Sequence, residues 1–526
     1  MKAFAALLDR LVYTPSRNAK LRQLVDYFQL APDPDRGWAL AALTDELRLS
    51  LPVRRLLGEL LEDKVDPYLF RLSRDYVGDT AETVALLWPV PEDLEAPPRL
   101  SEVIETVRGA SNTQLPQLLA SWLDSLDASG RWALLKLLTG ALRVGVSARM
   151  AKRALAEMAD QDVAEIEELW HGLEPPYLAL FAWLEGHSAK PDISSMPVFR
   201  PLMLANPLEE RDLEALDLSE FAAEWKWDGI RVQIAARGGD VRLYSRSGDD
   251  ISHAFPDVTC RFHGEVVLDG ELLVLRDGEV APFNDLQQRL NRKNVSKRLM
   301  DRHPAHVRLY DILFEERDDL RAMSFEERRA RLVRWHARSA PRRSDLSAIV
   351  DFADKDALQD AWQATRGVGI EGLMLKRRAS PYLAGRPKGH WYKWKRAPLT
   401  IDVVLMYAQR GSGRRSSYYS DFTFGAWHQG ENGGQELVPV GKAYSGYTDE
   451  ELLRLDKWIR NNTTERFGPV RAVEPEIVLE VAFDSVHRSS RHKSGVAMRF
   501  PRVHRIRWDK PAREADRLEA LEALID

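Results

Sequence analysis

Lys226 lies in EWKWDGIR, residues 224–231, among alternating apolar positions and two residues before an Asp-Gly pair. An amine held on a strand near other cations loses its proton below the usual value of about 10.4, and its neutral form is a nucleophile toward carbonyl or phosphorus centres. Arg231 closes the same stretch, and Arg246 sits in YSRSG on the predicted next strand. Two acids follow, Glu271 in LDGEL and Glu371 in GIEGLMLKRR. Carboxylates of this kind hold magnesium against a triphosphate. HWYKWKR then sets Lys393 and Lys395 at i and i+2. That spacing puts both ammonium groups on one strand face, where they can bracket a phosphate. Taken singly, each of these also fits a plainer part: a charged strand end, a solvated turn acid, a basic edge strand.

The elements that must carry these residues differ along the chain. The first 190 residues or so read as helical: Leu115, Leu118, Leu119, Trp122 and Leu126 recur at helical spacing, as do Leu134, Leu135, Leu138 and Leu142. LLKLLTGALRVGVSARMAKRAL turns at Gly145, with Ser147 predicted to cap the next helix. Residues 188–207 carry four prolines and lose the helical period, which marks a domain boundary. Beyond it RVQIAA, VRLYSRSG, GEVVLDGELLVL and HVRLYDILF read as strands of a mixed α/β domain, interrupted by one helix that Ser324 and Glu327 cap reciprocally. From IDVVLMYAQR at 401 onward, DFTFGAWH and EIVLEVAFDSV predict a small β-barrel.

Composition bounds the rest. A chain of 526 residues, 44% hydrophobic and 29% charged, is long enough for about three folded domains and is neither disordered nor fibrous in character. Its single cysteine, Cys260, excludes a disulfide framework and a cysteine-cluster zinc site, and reads as a small buried hydrophobe. No run of roughly 18 apolar residues predicts a membrane span. The formal net charge of -5 gives no general attraction to nucleic acid, yet eight Lys or Arg residues stand against one acid, Asp509, between His487 and Lys510. QRGSGRRSSYYSDF adds Arg410, Arg414 and Arg415 among glycines and tyrosines, a second basic segment suited to phosphate contacts.

K-x-D-G, S-R-S-G, D-G-E, E-G-x-M and K-x-K occur in this order, and over residues 200–510 the chain resembles an ATP-dependent DNA ligase of the covalent nucleotidyltransferase superfamily. The resemblance implies a bacterial three-domain form: an all-α DNA-binding domain at 1–195, a mixed α/β, ATP-grasp-like nucleotidyltransferase core at 196–398, and an OB-fold β-barrel at 399–526. It makes Lys226 the adenylated lysine and sets Glu224 against the adenine amino group. Arg231 and Glu271 would lie near ribose and phosphate, Tyr310 would stack on adenine where the family usually has phenylalanine, and Lys393 and Lys395 would grip the α-phosphate. Glu271 and Glu371 would hold magnesium, with manganese as a substitute. Arg246 would serve the nucleotide or the 5'-phosphate of the nick. In RVHRIRWDK, similar to the family's last motif, Arg507, Asp509 and Lys510 would orient the departing pyrophosphate. LLKLLTGALRVGVS is similar, more weakly, to a minor-groove-contacting segment of larger ligases, with Arg143 on phosphate.

Rival readings remain at this point. An NAD-dependent ligase shares K-x-D-G but carries a four-cysteine module that one cysteine cannot supply. An RNA ligase or a GTP-using capping enzyme shares the lysine, and a catalytically inactive relative would keep the basic patches alone. The expected partner is nicked double-stranded DNA, with no membrane, for a monomer in a bacterial cytoplasm that works in repair, replication or recombination beside an exonuclease and a helicase.

Overall fold

The computed structural model describes residues 1–525 except 48, 50, 52, 62–63, 92–95, 141, 291, 293, 365–368, 397, 412–416, 431–433 and 491. The chain forms two compact units, one of residues 1–160, 175–185 and 398–526, the other of 161–174 and 186–397.

In the first unit the leading residues are helical, as the period predicts. Helix Leu115–Ser125 buries Leu119 and Leu123, and helix Ala128–Thr139 buries Leu134, Leu135 and Leu138. Leu142 does not continue that helix: Gly140 takes φ 66°, the left-handed turn that ends it. Ser147 caps helix Ala148–Ala159 by accepting from the Met150 N–H at 3.3 Å. The bend between these helices is held from below. Lys20, 9% exposed on helix Arg17–Leu30, donates from Nζ to the Val144 carbonyl at 2.6 Å, and Gly145 turns above it with φ 69°.

The C-terminal part of this unit is β-rich. Strand Leu399–Arg410 pairs along one edge with Tyr419–Gln429 and along the other with Val478–Phe483, then with Val470–Val473. Register shifts at Leu405/Tyr407 and Gln409/Arg410 bend it, so the sheet curls around Leu405, Phe422, Phe424, Leu455 and Leu479. Strand Arg502–Arg507 pairs with Val478–Phe483 and carries the basic C-terminal segment.

The second unit contains two sheets packed face to face. One runs in the order Asn206–Pro207, Trp391–Lys395, Ile370–Arg377, Phe221–Trp227, Ile349–Val350; the other has Asp240–Ser245, Ile230–Arg237, Val266–Arg276 and Ala305–Glu315 as consecutive neighbours. Ala222 and Trp391 of the first meet Ala235, Val267 and Leu313 of the second in a shared core. Helix Phe325–Ser339 begins at the predicted capping box, Ser324 accepting from the Glu327 N–H while the Glu327 carboxylate accepts from the Ser324 N–H at 2.9 Å. Cys260 departs from expectation and is exposed: it follows the short helix Pro256–Thr259, whose inward position is taken by Val258.

Candidate active site

Strand register brings the chemistry together. Lys226 pairs with Gly372, which pairs with Lys395; Glu224 pairs with Met374, which pairs with Lys393; Ala222 pairs with Lys376, which pairs with Trp391. Side chains alternate along strands, so the core position of Ala222 and Trp391 places Lys226, Glu224, Lys393 and Lys395 on the face turned toward the second sheet. Simple alternation would turn Glu371 to the opposite face with Leu373 and Leu375. A bulge between Ile370 and Gly372 sets two residues against one and re-aims it. As a result Lys226 donates to Glu371 Oε2, and the Lys395 ammonium lies 3.0 Å from the same oxygen. Gly372 permits this packing, because a Cβ there would stand 2.1 Å from the Trp394 carbonyl oxygen. Burial pushes the Glu371 carboxyl up, but Lys226 and Lys395 outweigh it and hold the group below the usual carboxylate range.

The facing sheet supplies the opposite wall, where Arg231 pairs with Glu271 and Gln233 with Asp269. The Arg231 guanidinium donates to Asp269 at 2.7 Å, to the Met203 carbonyl at 2.7 Å and to the Tyr382 hydroxyl at 3.0 Å. Asp269 is fully buried and also accepts from Tyr382 at 2.6 Å and Gln233 at 3.1 Å. Burial pushes the Glu271 carboxyl up to about 7; Lys226 and Arg231 pull it down, Glu371 and Asp228 push it further. Both candidate metal-binding acids therefore share one electrostatic neighbourhood with the lysine. Among the described residues no three His, Cys, Asp or Glu side chains cluster as a metal cage.

Lys393 is held below the ordinary lysine range by burial and then by a ring of cations, Lys395, Arg386, Arg246 and Lys226. The ring adds Arg386, in AGRPKG, to the residues the motifs pointed to. Tyr310 belongs to the facing sheet, on strand Ala305–Glu315, with the Arg231 guanidinium 5.9 Å from its ring centre and the Lys376 ammonium 4.3 Å away. Lys376 and Glu224 form an ion pair, each 2% exposed. The lysine closing E-G-x-M-x-K was the available signal for this pair, and sequence reading passed over it.

Arg507, Asp509 and Lys510 lie in the other unit. Arg507 donates to Asp509 at 3.0 and 2.9 Å, and this contact holds the Asp509 carboxyl at about 2. Lys510 donates to Asp402 Oδ2 at 2.7 Å, with Arg507 at 3.5 Å from the same oxygen. Asp402, in IDVVL, was not singled out from the sequence. Arg143 is exposed with φ 44° in the bend between helices, and Arg410 ends the long curled strand beside the Tyr419 ring at 5.9 Å. Arg414 and Arg415 lie outside the described residues. Among those residues no helix is long and apolar enough to cross a membrane.

Residues 202–395 match the ATP dependent DNA ligase domain, and residues 415–510 match the ATP dependent DNA ligase C terminal region. A probable DNA ligase of Koribacter versatilis is 35% identical over 436 residues, covering 78% of this chain and 74% of the relative. A probable DNA ligase of Anaeromyxobacter sp. is 34% identical over 511 residues, covering 92% and 94%. A solved structure described as Pmar-Lig_PreS3 shares the fold with a TM-score of 0.60 over 96% of this chain and 99% of its own, at 16% identity. The matched domains contain the lysine face and the basic C-terminal strand, and the chain belongs to the ATP-dependent DNA ligase family.

Proposed function

We propose that the chain seals nicks in duplex DNA through a lysyl-AMP and then a DNA-adenylate, with Lys226 as the nucleophile. The observation that carries this reading is the lysine face itself: one nucleophilic amine beside Glu371, with Lys393 and Lys395 on the same face and Arg246 and Arg386 in the cation ring around Lys393. Lys226 Nζ attacks the α-phosphorus of ATP; a nitrogen–phosphorus bond forms, and the bond to pyrophosphate breaks. Lys393 and Lys395 neutralise the α-phosphate, an interaction of the kind that stabilises developing negative charge. Arg507 and Lys510 orient the leaving pyrophosphate. The 5'-phosphate of the nick then takes the AMP from Lys226, and the neighbouring 3'-hydroxyl displaces AMP to close the backbone.

Glu224 accepts from the adenine amino group, Tyr310 stacks on the base, and Arg231 with Glu271 borders the ribose and phosphate. Glu271 and Glu371 fit a divalent cation such as magnesium or manganese. They are oxygen donors, one of them raised to about 7 chiefly by burial, and magnesium uses few carboxylates alongside water and phosphate. When bound, the ion would neutralise phosphate charge and assist the 3'-hydroxyl. We assign 1–195 to a helical DNA-binding domain, 196–398 to adenylation and 399–526 to an oligonucleotide-binding barrel. Arg143, Arg246, Arg410, Arg414 and Arg415 contact phosphates in this reading. The protein acts as a monomer in a bacterial cytoplasm, in repair, replication or recombination, beside an exonuclease and a helicase.

Incubating the purified chain with magnesium and α-labelled ATP or GTP, followed by a denaturing gel, tests the reading. A labelled band from ATP alone, discharged by nicked DNA, is expected; labelling from GTP would indicate a capping-type enzyme, and no label from either a binding-only relative.

A further inference from the structure

Lys376 sits one pairing row deeper than Glu224 on the lysine face, opposite Ala222 and Trp391. Its ammonium is surrounded by rings, 4.3 Å from the centre of Tyr310, 4.7 Å from Trp391 and 5.0 Å from Phe325. Aromatic faces attract a cation but do not replace its water, so a buried ammonium of this kind needs an anion. Glu224 Oε2 is that anion. Among the described residues the other carboxylate oxygen, Oε1, accepts no hydrogen bond; Arg329 Nη1 is 3.6 Å from it, and the same guanidinium donates from Nη2 to the Ser347 carbonyl. Glu224 is thus fixed through one oxygen and left with accepting capacity on the second.

We infer that Lys376 is a positioning residue for nucleobase selection: it supplies the counter-charge of the Glu224 carboxylate and aims it, so that the carboxylate accepts from a purine 6-amino group and rejects a purine with oxygen at that position. The inference rests on the proposed contact between Glu224 and adenine. Its chemistry is general. An ionised carboxylate is acceptor-only, whereas a protonated one also donates and can satisfy a 6-oxo group. A buried carboxylate that loses its cation neutralises by taking a proton, and discrimination disappears with the charge.

The test is self-nucleotidylation of the full chain with α-labelled ATP and α-labelled ITP, which carries oxygen in place of the 6-amino group. The wild-type preference for ATP should fall by about tenfold or more in Lys376→Met, the factor that one hydrogen bond to a charged group supplies. The loss should fall on the KM for ATP more than on the rate at saturation, and Lys376→Arg should restore much of the preference. Lys376→Gln, which keeps a donor without the charge, is read in the same way should the methionine variant not fold. A preference lost in Glu224→Gln yet kept in Lys376→Met and Lys376→Gln overturns the role of Lys376 alone. A preference unchanged in Glu224→Gln overturns the adenine contact and this inference with it.

Discussion

Glu371 Oε2 is shared by two ammonium groups, accepting from Lys226 and lying 3.0 Å from Lys395. The bulge that turns Glu371 onto the lysine face makes this carboxylate the fixed reference for both cations. Lys226→Ala should abolish the labelled enzyme band. Glu371→Gln keeps the shape and removes the charge that holds Lys226 and Lys395, and should slow self-adenylation by on the order of 100-fold, the scale of losing one preorganised electrostatic group. Rates are read from single-turnover labelling at saturating ATP and magnesium; a near-normal rate in Glu371→Gln would remove this carboxylate from the reaction.

Glu271 gives a pH dependence with a definite sign. Burial is the main reason its carboxyl stands at about 7 rather than 4.5. The folded value is above the unfolded one, so the associated stability is complete below 4.5 and is lost as pH rises through 7. Metal-free wild type should therefore lose thermal stability between about pH 5 and 8, while Glu271→Gln, which cannot ionise, loses less. Thermal unfolding in chelator checks this, and parallel curves for the two proteins would contradict it. Magnesium added at the upper end should raise the Tm of wild type more than that of the variant.

Part of the lysine face was legible in residue type at strand spacing: Lys393 and Lys395 share a face by alternation, and the pairing of Gly372 with both Lys226 and Lys395 brings Lys226 onto it. Glu371 was legible as an acid near a turn, but not its direction, since the bulge depends on how Gly372 packs against the Trp394 carbonyl. Lys376 had a local signal in E-G-x-M-x-K, whereas Asp269, Arg386 and Asp402 were passed over for a common reason. Each matters through partners far away in sequence, Asp269 through Arg231 and Tyr382, Asp402 through Lys510, and no local period reports such pairings. The apparent continuation of a helix to Leu142 failed where a backbone turn at Gly140 outweighed the apolar spacing.

Arg328 and Asp311 form a pair with both side chains fully buried, Nε to Oδ1 at 2.9 Å and Nη2 to Oδ2 at 3.0 Å. It ties helix Phe325–Ser339 to the strand that carries Tyr310. Removing one member leaves a buried charge without a partner, so Asp311→Ala should destabilise by about 3–5 kcal/mol. The double variant Asp311→Leu/Arg328→Met should recover much of that, because an apolar pair leaves no charge unpaired. Urea unfolding of the full chain gives both values; a double variant no more stable than the single would argue that the pair contributes through its hydrogen bonds rather than through charge compensation.

Lys510 and Arg507 converge on Asp402, whose own backbone N–H donates to Asp516 at 2.8 Å. This arrangement holds the two cations against the first strand of the curled sheet, in a unit separate from the lysine face. In the proposed scheme they act when pyrophosphate departs and have no part once AMP is on the DNA. Arg507→Ala and Lys510→Ala should therefore slow self-adenylation by on the order of 100-fold each, while sealing of DNA supplied already adenylated stays close to wild type. Gel assays of the two steps with the same preparations separate the effects. Equal loss in both steps would mean that the segment serves DNA binding or folding of the sheet instead of the first transfer.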